Sequence, residues 1–215
     1  MPKPRVLIAD DHALVAEGIT SLLAEKYEVV GIAPDGRRLI AQAARTRPDV
    51  IVLDIAMPEL NGIDAAAQLI RILPSVKLVF VTMQIDIQYL RAAFRAGGIG
   101  YVGKQSATRE LLIAIQRALA GQIYVTPLLK DALPNLSLKA LRQPSDVFAR
   151  ELTPRQREVL QLVAEGKSVK EISFSLQISP KTVEFHKSAI MNEIGFRTTA
   201  ELTRYAMSIG LVARG

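Results

Sequence analysis

Residues 49–64 read DVIVLDIAMPELNGID, and the fold turns on how this stretch is read. Four apolar residues, Val50 to Leu53, run without alternation into Asp54. Such a run, rich in β-branched side chains, reads as a parallel strand buried on both faces. Asp54 then stands at the strand's carboxyl end, where open α/β sheets hold their ligands. Pro58, Asn61 and Gly62 follow as a loop, and a helical pattern starts after them. A carboxylate closing an apolar strand is either a capping or loop acid or a reactive group. The rest of the chain decides which.

Four similar units flank this one. Residues 6–9, 28–33, 76–81 and 99–102 are short apolar runs, and a helical pattern follows each of them and the opening strand. The helix after residue 65 stops at Pro74, the one over 86–96 at Gly97-Gly98, and the one over 109–120 at Gly121. Five βα units in about 120 residues imply a five-stranded, doubly wound, mostly parallel sheet with helices on both faces.

The strand ends carry a set of groups. The first strand ends in Asp10 and Asp11, the third in Asp54, the fourth in Thr82 and the fifth close to Lys104. In a parallel sheet all of these project from one edge. Three crowded carboxylates raise one another's pKa unless a cation intervenes. Mg²⁺ suits them, as a hard ion held by a few carboxylates beside oxygen-rich substrates. A metal-neutralised Asp54 can attack a phosphoryl group, with Lys104 and the Thr82 hydroxyl meeting the phosphoryl oxygens.

The segments ADD, VLDIAMP, VT and GYVGK, at residues 9–11, 52–58, 81–82 and 100–104, resemble the receiver domain of two-component response regulators. The resemblance implies a flavodoxin-like fold in which Asp54 accepts phosphate from a histidine kinase. It further implies that Asp10, Asp11 and Asp54 bind Mg²⁺, joined by the backbone carbonyl of Ala56. Thr82 and Tyr101 would form the switch. Gln105 follows Lys104 where many receivers carry proline, so a trans peptide is expected there. Ala56 and Gln84, each two residues past a site residue, flank the approach of a hydrolytic water and are expected to tune the loss of phosphate.

Composition sets the outer bounds. The chain has 215 residues, 49% hydrophobic and 22% charged, enough to bury a sizeable core. Net charge is +6, with 14 basic and 12 acidic residues over 1–123 and 13 and 9 over 124–215. That balance permits a polyanionic partner. No cysteine is present, which excludes disulfides and thiolate metal sites. The start, MPKPRVLIADD, reads as a first strand, and no apolar run approaches the ~18 residues of a membrane helix. A soluble cytoplasmic protein without a membrane partner is expected.

Beyond a receiver over 1–123, residues 124–150 hold Pro127, Pro134 and Pro144 among Leu128, Leu129, Leu133, Leu136, Leu138 and Leu141. This linker reads either as short helices broken at Pro134 and packed on a neighbour, or as an ordinary tether, with a hinge over 146–151. From 151 to 215 the pattern is helical. Thr153 and Pro154 open a first helix, Ser168 with Glu171 forms a capping box for a second, and Ser179-Pro180 turns into a third over 181–193. A fourth runs from about Thr199 to Ser208. Short helices with a tight turn before the third describe a helix-turn-helix.

On a wheel of about 100° per residue, Val183, Ile190 and Ile194 fall together as the buried stripe of the third helix. Lys181, Phe185, Ser188 and Asn192 lie opposite, with Glu184 on the flank. An exposed Phe185 makes sense against a thymine methyl in a major groove; Glu184 can accept from cytosine, and Ser188 can bond either kind of edge group. Lys181, Thr182, His186 and Lys187 suit phosphates, although His186 also fits the edge of the core. The run LTPRQREVLQLVAEGKSVKEI (152–172), with ISPKTVEFHKSAIMNEIG (178–195), resembles the LuxR-type DNA-binding domain. With the receiver, the whole chain is similar to NarL/FixJ-type response regulators of bacteria. The resemblance implies double-stranded DNA as partner, a homodimer when active, and a pairing role for the last helix; Leu202, Tyr205, Ala206 and Ile209 there suit either pairing or the domain's own core. Val169, Glu193 and Thr199 depart from the family's usual asparagine, lysine and arginine. The loss of basic groups predicts weaker DNA binding.

Three readings follow. One is a phosphorylation-controlled transcription regulator that is not an enzyme beyond slow loss of its own phosphate. Another is a phosphatase-like enzyme, opposed by Ala56 standing where such enzymes carry a second aspartate. The third is a phosphorylation-independent regulator using the receiver as a dimerisation or ligand module, opposed by the complete set of Asp10, Asp11, Asp54, Thr82 and Lys104.

Overall fold

Why the apolar runs do not alternate is plain from the sheet they build. A computed structural model describes residues 2–132, 141 and 152–212, the side chains of 130–132 apart. The strands are β1 (Arg5–Ala9), β2 (Glu28–Ala33), β3 (Val50–Leu53), β4 (Lys77–Thr82), β5 (Gly100–Gly103) and β6 (Tyr124–Val125). All pair in parallel, in the order β2-β1-β3-β4-β5-β6. Leu7, Ile51, Leu53, Leu78 and Phe80 point to one face, against α2 (Gly36–Thr46), α3 (Gly62–Ile72) and α4 (Ile87–Arg95). Val6, Ile8, Val50, Val52, Val79 and Val81 point to the other, against α1 (Ala13–Leu23) and α5 (Ala107–Leu119). Both faces are covered, so the interiors of the central strands, Val6–Ala9, Val50–Leu53 and Leu78–Val81, are apolar without alternation.

The sheet has six strands rather than the expected five. After α5 the chain reverses at Gly121 (φ +73°), and Tyr124 and Val125 pair with Gly100 and Tyr101. The Tyr124 N–H donates to Ile99 and the Thr126 N–H to Tyr101, so the edge of β5 is satisfied. Two residues are too short to show a period, so the sequence pattern alone assigns them to the start of the linker. A 3₁₀ turn, Pro127–Ala132, follows; Leu129 and the helical Leu141 are buried in the same cluster as Leu7 and Phe80. The predicted break at Pro134 and the hinge over 146–151 lie outside the described residues.

The second domain holds α6 (Pro154–Ala164), α7 (Val169–Leu176), α8 (Pro180–Ile194) and α9 (Thr199–Ser208). Thr153 with Gln156, and Ser168 with Glu171, form the capping boxes read in the sequence; Thr198 with Glu201 forms another. Val159, Leu160, Ile172, Leu176, Val183, Ile190, Leu202 and Ala206 make its core. Leu202 and Ala206 therefore serve this core, while Tyr205 and Ile209 are half-buried and line a cavity of about 330 Å³ shared with Tyr89 of α4.

Candidate functional site: the acidic strand edge and the outer face of α8

β1 and β3 are neighbours whose following helices lie on opposite faces, and a crevice opens outside their carboxyl ends. Asp10 and Asp54 stand there, each only 3% exposed. Lys104, just past β5, reaches across, its Nζ 2.8 Å from Asp10 and 2.6 Å from Asp54. Asp54 Oδ1 accepts from the N–H of Ile55 at 2.6 Å and from that of Ala56 at 3.4 Å. Burial pushes the Asp54 carboxyl above the usual aspartate range; Lys104 pulls it back and Asp10 adds to the rise. Burial works to lower the Lys104 ammonium, but Asp54 and Asp10 outweigh it and hold it above the usual lysine range. Lys104 therefore stays a cation between two carboxylates.

Asp10, Asp11, His12 and Asp54 bring their ligand atoms within 4.8 Å of one another. His12 was not foreseen. Its Nδ1 lies 2.8 Å from Asp11 and 3.4 Å from Asp10, and its N–H donates to Asp10 Oδ1. Only its place after two aspartates could have flagged it. Three converging carboxylates, two of them buried and held together by an ammonium, fit a hard divalent cation. Ala56 is on the same loop, half-buried.

Thr82 is fully buried at the end of β4, and its Oγ1 accepts the Gln84 N–H at 3.2 Å. Tyr101 is fully buried too, with its hydroxyl donating to the Gln84 carbonyl. Gln84 thus connects the two side chains through its own peptide groups. Burial pushes the Tyr101 hydroxyl far above the usual tyrosine range, helped by Asp86, Tyr89 and Asp54, so it remains a donor. Gln105 follows Lys104 through a trans peptide, as expected.

On α8, Val183 and Ile190 are buried and Ile194 partly so, while Lys181, Glu184, Phe185, Ser188 and Asn192 are exposed. Phe185 is 68% exposed, its ring edge-on to half-buried His186 at 5.7 Å. Lys187 is half-buried. Thr182 is engaged locally, its N–H and Oγ1 both on the Ser179 hydroxyl that caps the helix. Phe174 of α7, 87% exposed, was missed, and no pattern in its short helix singled it out. Of the departures, Val169 packs on the domain core, Glu193 accepts from Gln156, and Thr199 is exposed at the start of α9.

Fold and site together define a receiver-type α/β domain carrying a helix-turn-helix. The family described as "Response regulator receiver domain" matches residues 6–116, and that described as "Bacterial regulatory proteins, luxR family" matches 150–206. The transcriptional regulatory protein MctR of Rhizobium johnstonii is 34% identical over 215 residues, covering 99% of this chain and 97% of that protein. The oxygen regulatory protein NreC of Staphylococcus carnosus is 33% identical, covering 94% and 96%. Among solved structures, the RcsB response regulator of Salmonella typhimurium is 29% identical with a TM-score of 0.66, covering 98% and 100%. RcsB bound to DNA is also similar, at 29% identity and a TM-score of 0.56, covering 96% and 98%. The chain belongs to the response regulators of the NarL/FixJ type, with a receiver and a LuxR-type DNA-binding domain. These are transcription regulators of two-component systems rather than classical enzymes. Among the described residues no helix is long and apolar enough to cross a membrane.

Proposed function

We propose that Asp54 accepts a phosphoryl group from a cognate histidine kinase and that this controls pairing and sequence-specific DNA binding in the bacterial cytoplasm. The observation that carries the reading is the bridge of Lys104 between buried Asp10 and Asp54 at the crevice of β1 and β3. In the transfer, an Asp54 oxygen forms a bond to phosphorus as the donor's phosphorus–nitrogen bond breaks, and the imidazole nitrogen regains a proton. Asp10, Asp11 and Asp54, with the Ala56 carbonyl, would hold Mg²⁺, which supplies charge neutralisation for the incoming phosphoryl oxygens. Lys104 and Thr82 meet those oxygens. The Thr82 oxygen accepts the Gln84 N–H and keeps its own proton to donate, so a shift of Thr82 toward the phosphoryl group would pull on Gln84, whose carbonyl holds the Tyr101 hydroxyl. A local charge event then biases a two-state element.

The output is read on α8. Phe185, Glu184 and Ser188 face base edges, and Lys181, Thr182, His186 and Lys187 meet phosphates. Two copies would bind as a homodimer on symmetric half-sites. The receiver is taken as residues 1–123 with β6 added at its edge, 124–150 as linker, and 151–215 as the DNA-binding domain. Incubation with acetyl phosphate and Mg²⁺, read by intact-mass spectrometry, tests the proposal. One stable phosphoryl group, lost in Asp54→Asn, supports it. Continuous turnover of the donor identifies a phosphatase, and no labelling identifies a phosphate-independent regulator.

A further inference from the structure

His12 has no helix-capping reason to be a histidine. It stands at the N-cap of α1, a position that favours serine, threonine, aspartate or asparagine because their side chains receive the first free N–H groups. The His12 side chain makes no such bond. Its ring is turned back onto the acidic site instead, with Nδ1 2.8 Å from Asp11 Oδ1 and 3.4 Å from Asp10 Oδ1. The backbone keeps the residue there, since the His12 N–H donates to Asp10 Oδ1 at 2.9 Å. Lys104 does not compete for these atoms, because its ammonium holds Oδ2 of Asp10 and Oδ2 of Asp54. Asp10 thus presents one oxygen to an ammonium and the other to an imidazole.

The spacing is that of ligands around one ion. Ligand atoms at right angles about a cation, with bonds of ~2.1 Å, stand about 3 Å apart, and opposite ones about 4.2 Å. The two nitrogen–oxygen distances are close to the first figure. One ligand atom from each of Asp10, Asp11, His12 and Asp54 lies within 4.8 Å of the other three. The ligand set expected from the sequence is oxygen throughout, three carboxylates and the Ala56 carbonyl. Oxygen ligands suit Mg²⁺, whereas an imidazole nitrogen favours first-row transition ions, whose affinity for such sites climbs from Mn²⁺ through Co²⁺. We propose that His12 Nδ1 is a direct ligand of the cation at this site and gives the site a selectivity for divalent transition ions over Mg²⁺. As an N–H, Nδ1 donates to Asp11; as a lone pair it binds metal, the neutral ring's proton then being on Nε2. The carboxylates that hold the imidazole thereby also aim it at a cation. The inference rests on the reading of those carboxylates as a cation site and names the class of ion they prefer.

The test uses the full chain without an affinity tag. Titration calorimetry with CoCl₂ and with MgCl₂ gives the ratio of the two dissociation constants. His12→Ser keeps a good N-cap for α1 and removes the nitrogen. It should lower the preference for Co²⁺ over Mg²⁺ by at least about tenfold, a loss that even an outer partner of a metal ligand can cause. Mn²⁺ supplies a direct readout that needs no affinity. Its electron spin-echo modulation should carry the coupling of a bonded imidazole nitrogen in wild type and lose it in His12→Ser. A merely structural role for the ring would weaken both ions alike and show no such coupling. An unchanged ratio, whether both constants move together or neither moves, overturns the inference, as does a wild-type Mn²⁺ spectrum free of imidazole nitrogen. Failure of wild type to bind either ion ends the reading of the acidic strand edge as a cation site and this inference with it. Mg²⁺ binding without the imidazole signal ends this inference alone.

Discussion

Gly62 lies so close to Asp54 that a side chain cannot be placed between them. A Cβ built on Gly62 would collide with the Asp54 carbonyl oxygen, while the Gly62 N–H donates to the Ile55 carbonyl at 2.8 Å. The first turn of α3 is thereby seated directly on the end of β3. Gly62→Ala is expected to destabilise the receiver by about 2–3 kcal/mol, as overpacking against rigid backbone does. Urea unfolding measures it, and an unchanged midpoint would contradict the contact.

Lys104 is the only described cation between Asp10 and Asp54. Lys104→Met leaves two buried carboxylates facing each other without compensation. The variant should melt several degrees below wild type in EDTA and gain more from added Mg²⁺ than wild type does. Differential scanning calorimetry with and without Mg²⁺ reads both effects. A smaller Mg²⁺ gain than wild type's would sink the idea.

The docked arrangement should respond to pH through Glu165. Its burial raises the carboxyl above 4.5, with Glu59 adding to the rise, while the Gln161 amide, the Glu59 N–H and Lys167 work the other way. Released to water, the group returns to its ordinary value, so the docked form holds the proton more tightly. Docking therefore strengthens as pH falls through the window between the raised value and 4.5, and weakens as pH rises through it. X-ray scattering across that window should show contraction on acidification, and Glu165→Gln should abolish the dependence.

On DNA, Lys181→Ala should weaken binding at all sequences and flatten the salt slope by about one unit. Phe185→Ala should instead narrow the preference between target and non-target DNA, leaving what Glu184 and Ser188 contribute. Fluorescence anisotropy at several salt concentrations separates the two. A uniform loss for Phe185→Ala would remove the ring from base contact.

The parts read correctly from sequence share a physical property: they are governed by short-range pattern. An unbroken apolar run betrays a strand covered on both faces, and Thr153, Ser168 and Glu171 announce their caps at fixed offsets. Asp10, Asp11, Asp54, Thr82 and Lys104 stand out as a set because the first, third, fourth and fifth strands end on or close to them. What escaped depends on distant neighbours. Tyr124 and Val125 pair only because β5 offers an edge, and the burial of Gln161 follows from a domain contact that its own helix does not encode. Glutamine at that position looks like any solvent-facing residue on α6. The His12 imidazole acquires meaning only once Asp10 and Asp11 sit around it in the folded chain.

The outward face of α8 is open even though α6 is docked on the receiver, with Phe185 standing free in water. Docking in this arrangement does not mask the residues proposed to read bases. On the proposed reading, an unphosphorylated copy can already touch a half-site, and what it lacks is a second copy free to land beside it. Control would then be exercised over valency: undocking raises the effective concentration of the second recognition helix, and affinity climbs without any new contact to a base.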